Sequence, residues 1–430
     1  LKAHDFEAVA VCLLWSIINP AHERAVGDMI AEILPGVPYT LSHELVPIIR
    51  EYRRASATAI DASLKPLMQE HLRQMESDLR GAGYQGEILV STAVGGCMHV
   101  EELAERPIHT VKSGPAMAPV AGLNYARIED FGSDVIICDT GGTTFDVGLV
   151  RDGEVKFTRD TWIGPQWTGD ILAISSVDVR SIGAGGGSIA WIDPGGSLKV
   201  GPKSAGAEPG PVCYDAGGTE PTVTDCNLTL GYLDSNALLA GRLAIRADKA
   251  KVAIDEHLAN PLGIGSDAAA AGVLNVVNAS MAEALRIVSV ERGHDAREFS
   301  LVAFGGAGPM HAAELAGELG IREVIIPPIP GGFSALGLVA TDLKRDYVKT
   351  HFIPLDQADP AAVNAAYAEM EASAKEMLRA AKIPEKDWVM ERSADLRYGR
   401  QAYELTVPAR AGDVTPDILA ELAQLFHEKH

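Results

Sequence analysis

The sequence predicts an α/β protein with mixed sheets, and three stretches carry that expectation. The opening "FEAVAVCLLWSIINPAHERAVGDMIAEIL" reads as a buried strand running into a helix. "DVIICDTGGTTFDVGLVRDGEVKFTRD" alternates and turns as a three-stranded antiparallel meander. "FSLVAFGGAGPMHAAELAGELG" is a strand that turns through glycines into a helix. Strand–helix units favour parallel pairing and a meander is antiparallel, so a chain holding both builds mixed sheets.

In chain order, Asn19 caps the first helix, Pro20 takes its first position, and apolar residues recur at helical spacing to Leu34. A strand near Tyr39 to Ser42 leads into a long helix from about Pro47 to Arg80, and a strand at Glu87 to Ser91 follows the turn at Gly83 to Gly86. "SGPAMAPVAGLNYARI", from Ser113, is a helix of small residues spaced to let a neighbour approach closely, as at a packed hinge. Asp152-Gly153 carries the second turn of the meander. From Thr161 to Tyr232 glycine and proline abound and helix signals are few, which predicts a looped insertion with short strands. Alanine-rich helices are expected over Ala247 to Asn260 and Asp267 to Arg292, and "EVIIPP" is the strand after the glycine-turn helix. Beyond a linker near Pro354 to Pro360 come a charged helix, strands around Arg392 to Val407, and an amphipathic helix from Asp417 still running at His430. With Leu1 as first residue, this predicts a piece of a longer chain.

The 430 residues carry 37 Lys+Arg against 58 Asp+Glu, a formal charge of −21, with 47% hydrophobic and 22% charged residues. That is the composition of a folded globular chain. The acidic balance and the lack of any cation-dense stretch argue against nucleic acid as a partner. The longest apolar run, Ala8 to Ile18, is shorter than the roughly 20 residues that cross a bilayer, so no membrane role is expected. Cys12, Cys97, Cys138, Cys213 and Cys226 are scattered and form no CxxC pair, which fits a reducing cytoplasm. Asn227 and Asn278 head N-x-S/T triplets that nothing else links to secretion.

The chemistry concentrates in Asp139-Thr140-Gly141-Gly142-Thr143-Thr144-Phe145-Asp146, a tight turn between two expected strands. Adjacent glycines let the backbone approach a ligand and aim N–H groups at it, and Thr143 and Thr144 add hydroxyls for phosphate oxygens. Asp139, at a strand end, is placed to hold hydrated Mg²⁺ rather than the phosphate itself. Gly305-Gly306-Ala307-Gly308-Pro309 follows a strand and opens a helix, where a nucleotide can sit beside a helix N-terminus. Alone, the second turn serves steric ends as readily as ligand binding, whereas flanking carboxylates and paired threonines mark the first as a phosphate grip. Together they are what the actin/sugar-kinase/Hsp70-like ATPase fold uses to hold ATP between lobes. The expected division is then 1–122, the end of a first lobe plus an interlobe helix; 123–345, a second, nucleotide-binding lobe with the Gly/Pro-rich insertion at about 161–232; and 346–430, the start of a C-terminal α/β region.

Competing motifs fail on spacing or context. Gly196 to Ser204, "GSLKVGPKS", nearly spells a Walker A loop, but Pro202 intrudes and no strand-to-helix context surrounds it. Gly183 to Ser188 has the wrong spacing for a dinucleotide fingerprint and continues into a strand, so it is expected as a mobile loop near the site. His427 and His430 stand at HxxH spacing without a third ligand, and His99 and His109 stand alone. "GGFSALG" puts Gly337 one position too far from Ser334 for a nucleophile elbow, and Cys97 in "GGCMH" brings no partner.

The ordered blocks "SHELVPIIREYRRASATAIDASLKP", "ERPIHTVKSGPAMAPVAG", "DTGGTTFDVGLV", "SVERGHDAREFSLVAFGGAGPMHA" and "PGGFSALGLVATDLKRDYV" resemble the hydantoinase A / 5-oxoprolinase family, which includes a subunit of ATP-dependent ketone carboxylases. The resemblance covers nearly the whole chain. It implies ATP and Mg²⁺ as cofactors, phosphoryl transfer to an amide or enolate oxygen, and a hydantoinase B-like subunit as partner in a hetero-oligomer. Carried over, Asp139, Gly141, Gly142, Thr143 and Thr144 form the second phosphate loop with Asp146 as its trailing acid, Gly305, Gly306 and Gly308 form the adenosine turn, and Gly114 to Gly122 an interlobe helix. The family's first phosphate loop has no counterpart in these residues, which implies that part of the ATP site lies elsewhere in a longer chain. "TWIGPQWTGDILAISSVDVRSIGAGGGSIAWID" leans toward the ketone carboxylases over the hydrolases of cyclic amides such as N-methylhydantoin or 5-oxoproline. Two other classes stand beside this one: a non-catalytic actin-like or Hsp70-like nucleotide switch, and a simple hydrolase using Cys97 or His99.

Overall fold

The computed structural model describes residues 4–236, 238–239 and 241–430, so Leu1 lies outside it. The expected opening unit forms, but its strand is short. β1 (Val9–Val11) pairs in parallel with β2 (Tyr39–Leu41) across α1 (Ala21–Ile33). The apolar residues after Val11 are not a buried strand: Leu14 is 75% and Trp15 56% exposed. The backbone of Leu13 is already taken, its N–H by the Glu23 carboxylate at 2.7 Å and its carbonyl by Arg54 at 2.6 Å, and Trp15 sits at φ 56. No ladder hydrogen bond remains to extend the strand. α1 starts one residue later than expected, with Pro20 rather than Asn19 at the N-cap position; Asn19 still accepts the Ala21 N–H at 3.2 Å.

α2 (Glu51–Gly81) covers this unit and carries fully buried Arg54. Arg54 donates to Ser42 and to the Ile48 carbonyl, while Ser42 and His43 bond Glu23 at 2.6 Å each. A buried charge without such partners would cost several kcal/mol. β3 (Leu89–Ser91) and β4 (Cys97–His99) form a hairpin before α3 (Ser113–Ile128), the expected small-residue helix.

The main sheet has six strands. β5 (Val135–Thr140), β6 (Phe145–Arg151) and β7 (Glu154–Val155) are the meander, with Asp152 and Gly153 both at positive φ in its second turn. β8 (Val179–Ile182) pairs antiparallel with β6; on the other side β11 (Ser300–Phe304) and β12 (Val324–Ile325) continue in parallel from β5. The sheet is therefore mixed.

The stretch 161–232 is less of an insertion than its composition implies, because β8 belongs to the main sheet. It also contributes the hairpin β9 (Ser188–Ile192) and β10 (Leu198–Ser204) and a buried helix, α4 (Val223–Thr229). A reciprocal capping box of Thr222 and Asp225 starts α4, and the same carboxylate accepts from Val212 and Cys213 N–H groups. Asn227 on α4 is fully buried, out of reach of a glycan, and Asn278 bonds His311 at 2.7 Å.

Helices cover both faces of the sheet. On one face α5 (Ser266–Val288) packs Val273, Val277 and Met281 against Ile136, Phe145 and Val147. α5 is long and apolar enough to cross a bilayer, but half of that stretch is buried against the sheet. On the other face lie α3 and α7 (Phe333–Val339), with Ile137, Val302, Phe304 and Phe333 in one cluster. Gly122 of α3 presses on Ile137 so closely that a methyl group there would collide with it. α6 (Gly308–Leu319) joins β11 to β12. After it, α8 (Pro360–Ala380), β13 (Arg392–Leu396), β14 (Leu405–Ala409) and α9 (Pro416–Lys429) share a separate core of Tyr367, Val407, Leu422 and Phe426.

Candidate functional site

β5 and β11 are adjacent parallel strands, with Asp139 beside Phe304, so the turns that leave them emerge at the same sheet edge. That juxtaposes the two glycine turns, which lie 164 positions apart between Gly141 and Gly305. The Ala307 N–H donates to the Thr140 carbonyl at 2.9 Å, tying one turn to the other. Gly305 sits at φ 83, and a Cβ there would run into the Asp139 carboxylate and the Thr140 carbonyl. Glycine is needed at this position for both backbone conformation and space. Gly142, Thr143, Thr144 and Gly306 are exposed at the rim, while Gly308 is buried at the start of α6 and Gly141 is half-buried.

A third glycine segment completes the wall. The Gly186 N–H bonds the Gly141 carbonyl at 3.1 Å and the Gly187 N–H the Gly142 carbonyl at 2.6 Å. Thr224, on α4, donates its hydroxyl to the Gly186 carbonyl at 2.8 Å. Residues 184–188 are buried, so this segment lies near the site as expected but is not the free loop its glycines imply. Main-chain bonds to the hairpin replace the side-chain anchors it lacks.

Asp139 and Asp146 are direct cross-strand partners in the β5–β6 register, which places both carboxylates on one side of the sheet. Burial raises the Asp139 carboxyl above its ordinary range; a hydrogen bond from Ser334 opposes this and the negative charge of Asp146 adds to it. Burial likewise raises Asp146, against hydrogen bonds from Ser181 and Thr144 and the charge of Lys112. Two half-desolvated acids facing each other are a poor arrangement for an empty fold and a good one for a cation with oxygen ligands. Asp146 Oδ1 and Thr140 Oγ1 are buried without hydrogen-bond partners among the described residues.

Among the described residues no cluster of three or more His, Cys, Asp or Glu side chains is assembled to hold a metal. An Mg²⁺ ion needs none, because it keeps waters and takes one or two carboxylates plus phosphate oxygens. Asp139 and Asp146 fit that donor set.

Sequence reasoning weighed Ser334 only as a nucleophile and rejected it; its hydroxyl donates to Asp139 at 2.8 Å from α7. It also gave no role to Lys112, Ser181 or Thr224. The rejected motifs lie in structural settings. Gly196 to Ser204 spans the turn and second strand of the β9–β10 hairpin, with Lys203 bonded to Glu220 at 2.7 Å. Cys97 is buried on β4, its thiol pushed up by burial and turned to the Asp342 carbonyl, a poor nucleophile at neutral pH. His109 is held down to about 4 by burial, with Arg106 adding to the effect. His427 stacks on Tyr398, and the His430 ring packs edge-on to the same side chain.

A family model described as hydantoinase/oxoprolinase matches residues 54–347. The alpha subunit of caprolactamase from Pseudomonas jessenii is 38% identical over 433 residues, which cover 100% of this chain and 61% of the relative. The crystal structure of the ATP-dependent caprolactamase from that organism superposes with a TM-score of 0.84 over 99% of this chain and 61% of its own. The nucleotide-free structure of acetone carboxylase superposes with a TM-score of 0.78 at 27% identity, over 99% of this chain and 61% of that one. The chain thus spans about three-fifths of the length of these relatives.

Proposed function

We propose, from the premise that this chain belongs to the hydantoinase/oxoprolinase family, that it forms the nucleotide-binding part of an enzyme that activates a carbonyl oxygen by phosphorylation. The observation that carries this reading is the meeting of the two glycine turns at the ends of β5 and β11, with Asp139 and Asp146 beneath them. In this reading the fold is of the actin/sugar-kinase/Hsp70 type, with ATP held between lobes and α3 between them.

Gly141, Gly142, Thr143 and Thr144 present N–H groups and hydroxyls to the phosphates. Gly305, Gly306 and Gly308 leave room for the adenosine end at the start of α6, whose dipole favours an anion. Asp139 and Asp146 would hold Mg²⁺, which would supply charge neutralisation at the phosphates, and Ser334 fixes the Asp139 rotamer. ATP with Mg²⁺ supplies the phosphoryl group and neutralises its charge. The residues of the chain do the rest by positioning and by excluding water. An amide carbonyl is a weak electrophile; once its oxygen carries a phosphoryl group and its N–H proton has left to water, the carbon has a good leaving group.

The cyclic-amide branch is favoured over the ketone branch toward which the 161–193 stretch leans, because the caprolactamase structure is the nearer of the two in identity and superposition. The partner would be a hydantoinase B-like subunit in a hetero-oligomer, in keeping with a relative named as a subunit. The test is a screen of lactams, hydantoins and ketones for ADP or AMP release by the full-length protein with its partner, with and without bicarbonate. Release driven by a cyclic amide without bicarbonate supports the reading; bicarbonate dependence moves the substrate to ketones. ATP turnover indifferent to every carbonyl compound would instead indicate a nucleotide switch.

A further inference from the structure

Ten buried side-chain nitrogen and oxygen atoms among the described residues have no hydrogen-bond partner. Five of them, Thr140 Oγ1, Asp146 Oδ1, both polar atoms of Asn227 and His311 Nε2, lie at the glycine-lined edge or one helical turn from it. An unmet polar atom in a protein interior is destabilising and rare, so a gathering of them calls for a partner that the chain does not supply. Thr140 and Asp146 belong to the acid pair and its turn. Asn227 and His311 do not.

Both are placed by direct contacts of their own helices. Asn227 stands on α4 one turn beyond Thr224, whose main-chain N–H and hydroxyl each donate to the Gly186 carbonyl at 2.8 Å. Gly186 abuts the second glycine turn: a Cβ built on it would lie 2.8 Å from the Thr224 hydroxyl and 3.7 Å from the Ala307 Cβ. His311 stands on α6 one turn beyond Ala307 and Gly308, and Gly308 faces the Thr140 hydroxyl, 3.6 Å from where its own Cβ would be. Residues three and four apart share a helix face, and helical side chains lean toward the N-terminus. Asn227 is thus directed back along α4 toward Thr224, and His311 back along α6 toward Ala307. The two converge on the contact between Gly186 and Ala307.

Their chemistry is that of neutral partners. Asn278 gives its amide nitrogen to Glu314 and so turns its oxygen to His311 Nδ1, at 2.7 Å. The ring proton is then on Nδ1 and Nε2 is a bare acceptor. Burial holds this imidazole down to about 4, so it is uncharged at neutral pH. The Asn227 carboxamide, 0% exposed, adds one further acceptor and an N–H donor. Two acceptors and a donor complement the amino-bearing edge of adenine, where an exocyclic amine donates and the adjoining ring nitrogen accepts; guanine carries a carbonyl oxygen in place of that amine.

We propose that Asn227 and His311 read the base of the bound nucleotide and select adenine over guanine. The proposal rests on the nucleotide reading above and adds to it which base is taken, by residues outside both glycine turns.

The test uses the full-length protein with its partner subunit, Mg²⁺ and the β,γ-imido analogues of ATP and GTP, with binding read by calorimetry. Wild type should bind the ATP analogue about 10-fold or more tightly than the GTP analogue. Asn227→Leu, of similar size, should bring the two affinities to within about twofold of each other. Its nucleotide-free thermal midpoint should equal or exceed that of wild type, because the change removes an unmet polar group and no bond within the chain. His311→Phe, which keeps a ring without the Nε2 acceptor, should narrow the preference in the same direction. A wild type that binds both analogues equally overturns the proposal. So does an Asn227→Leu variant whose midpoint falls while its preference for ATP holds, the result for a side chain bonded to buried water. Should Asn227→Leu not fold, His311→Phe decides, and a preference it leaves unchanged overturns the proposal. Wild-type protein that binds neither analogue would sink the nucleotide reading itself, a different failure from a wild type that binds both alike.

Discussion

The Ser334 hydroxyl donates to the Asp139 carboxylate at 2.8 Å although 195 positions separate the two residues. The contact joins α7 to the end of β5, and the Gly305 N–H reaches the Pro330 carbonyl at 2.9 Å beside it. The segment "PGGFSALG" therefore braces both the acid and the adjoining glycine turn. Removing a partner that orients a metal-binding carboxylate costs roughly 10- to 100-fold in affinity or rate. Ser334→Ala should accordingly lower kcat for ATP turnover by about 10-fold and raise the Mg²⁺ concentration needed for half-maximal rate, with Ser334→Thr restoring part of both. A Mg²⁺ titration checks this; a variant with an unchanged titration leaves Ser334 a packing residue.

Asp139→Asn should abolish Mg-ATP turnover, a loss on the order of 10³-fold, while the fold survives. The sign of the stability change is a separate check. Burial and the charge of Asp146 raise the Asp139 carboxyl above its ordinary value of 3.8. Its ionised form is thus disfavoured on folding: the cost is absent below pH 3.8 and grows as pH rises through the folded-state value. At pH 7 the neutral amide should leave the thermal midpoint unchanged or higher, and a clear drop measured by calorimetry would contradict the assignment of buried repulsion.

Two neighbouring glycines should respond oppositely to the same methyl group. Gly305→Ala forces an L-residue to φ 83 and meets the Asp139 carboxylate and Thr140 carbonyl, whereas a Cβ at Gly306 meets nothing within 4 Å. Gly305→Ala should lose at least 1–2 kcal/mol of stability and most of its nucleotide affinity. Gly306→Ala should fold as wild type. Urea titration with nucleotide-binding assays on both variants decides; equal tolerance would mean the turn is not held as described.

Acid should loosen the α1–α2 unit first. Burial opposes ionisation of Glu23, but hydrogen bonds from Ser42, Leu13 and His43 outweigh it and hold the carboxyl at about 2, against an ordinary value of 4.5. A depressed carboxyl contributes stability that is complete above pH 4.5 and fades as pH falls toward 2. The shift corresponds to about 3 kcal/mol. Unfolding midpoints at pH 7, 5 and 3 should fall below pH 4.5, and Glu23→Gln should start lower and show a flatter dependence. A parallel decline in variant and wild type would assign acid sensitivity elsewhere.

Local pattern was enough for the elements with strong periodicity. The helix of small residues from Ser113, the meander through Asp152-Gly153, and the strand, glycine turn and helix from Ser300 all follow from side-chain spacing and turn chemistry, which act over a few residues. The same local physics marked Asp139, the two threonines and both glycine turns, because an unusual backbone conformation needs particular residues. It failed where distant groups settle the backbone. The apolar stretch after Val11 turns outward because Glu23 and Arg54 claim the main chain of Leu13. α4 forms in a glycine- and proline-rich stretch because Asp225 also bonds Val212 and Cys213.

The chain's own letters, then, settled where the backbone lies bare beside hydroxyls, since the absence of a side chain and the presence of a hydroxyl are properties of single positions. Folding settled that the two turns meet: β5 and β11 become neighbours only through sheet order, which depends on pairing across the 159 residues between them. Ser334 reaches Asp139 in the same way, because helix packing against a sheet assigns partners that no spacing along the chain encodes.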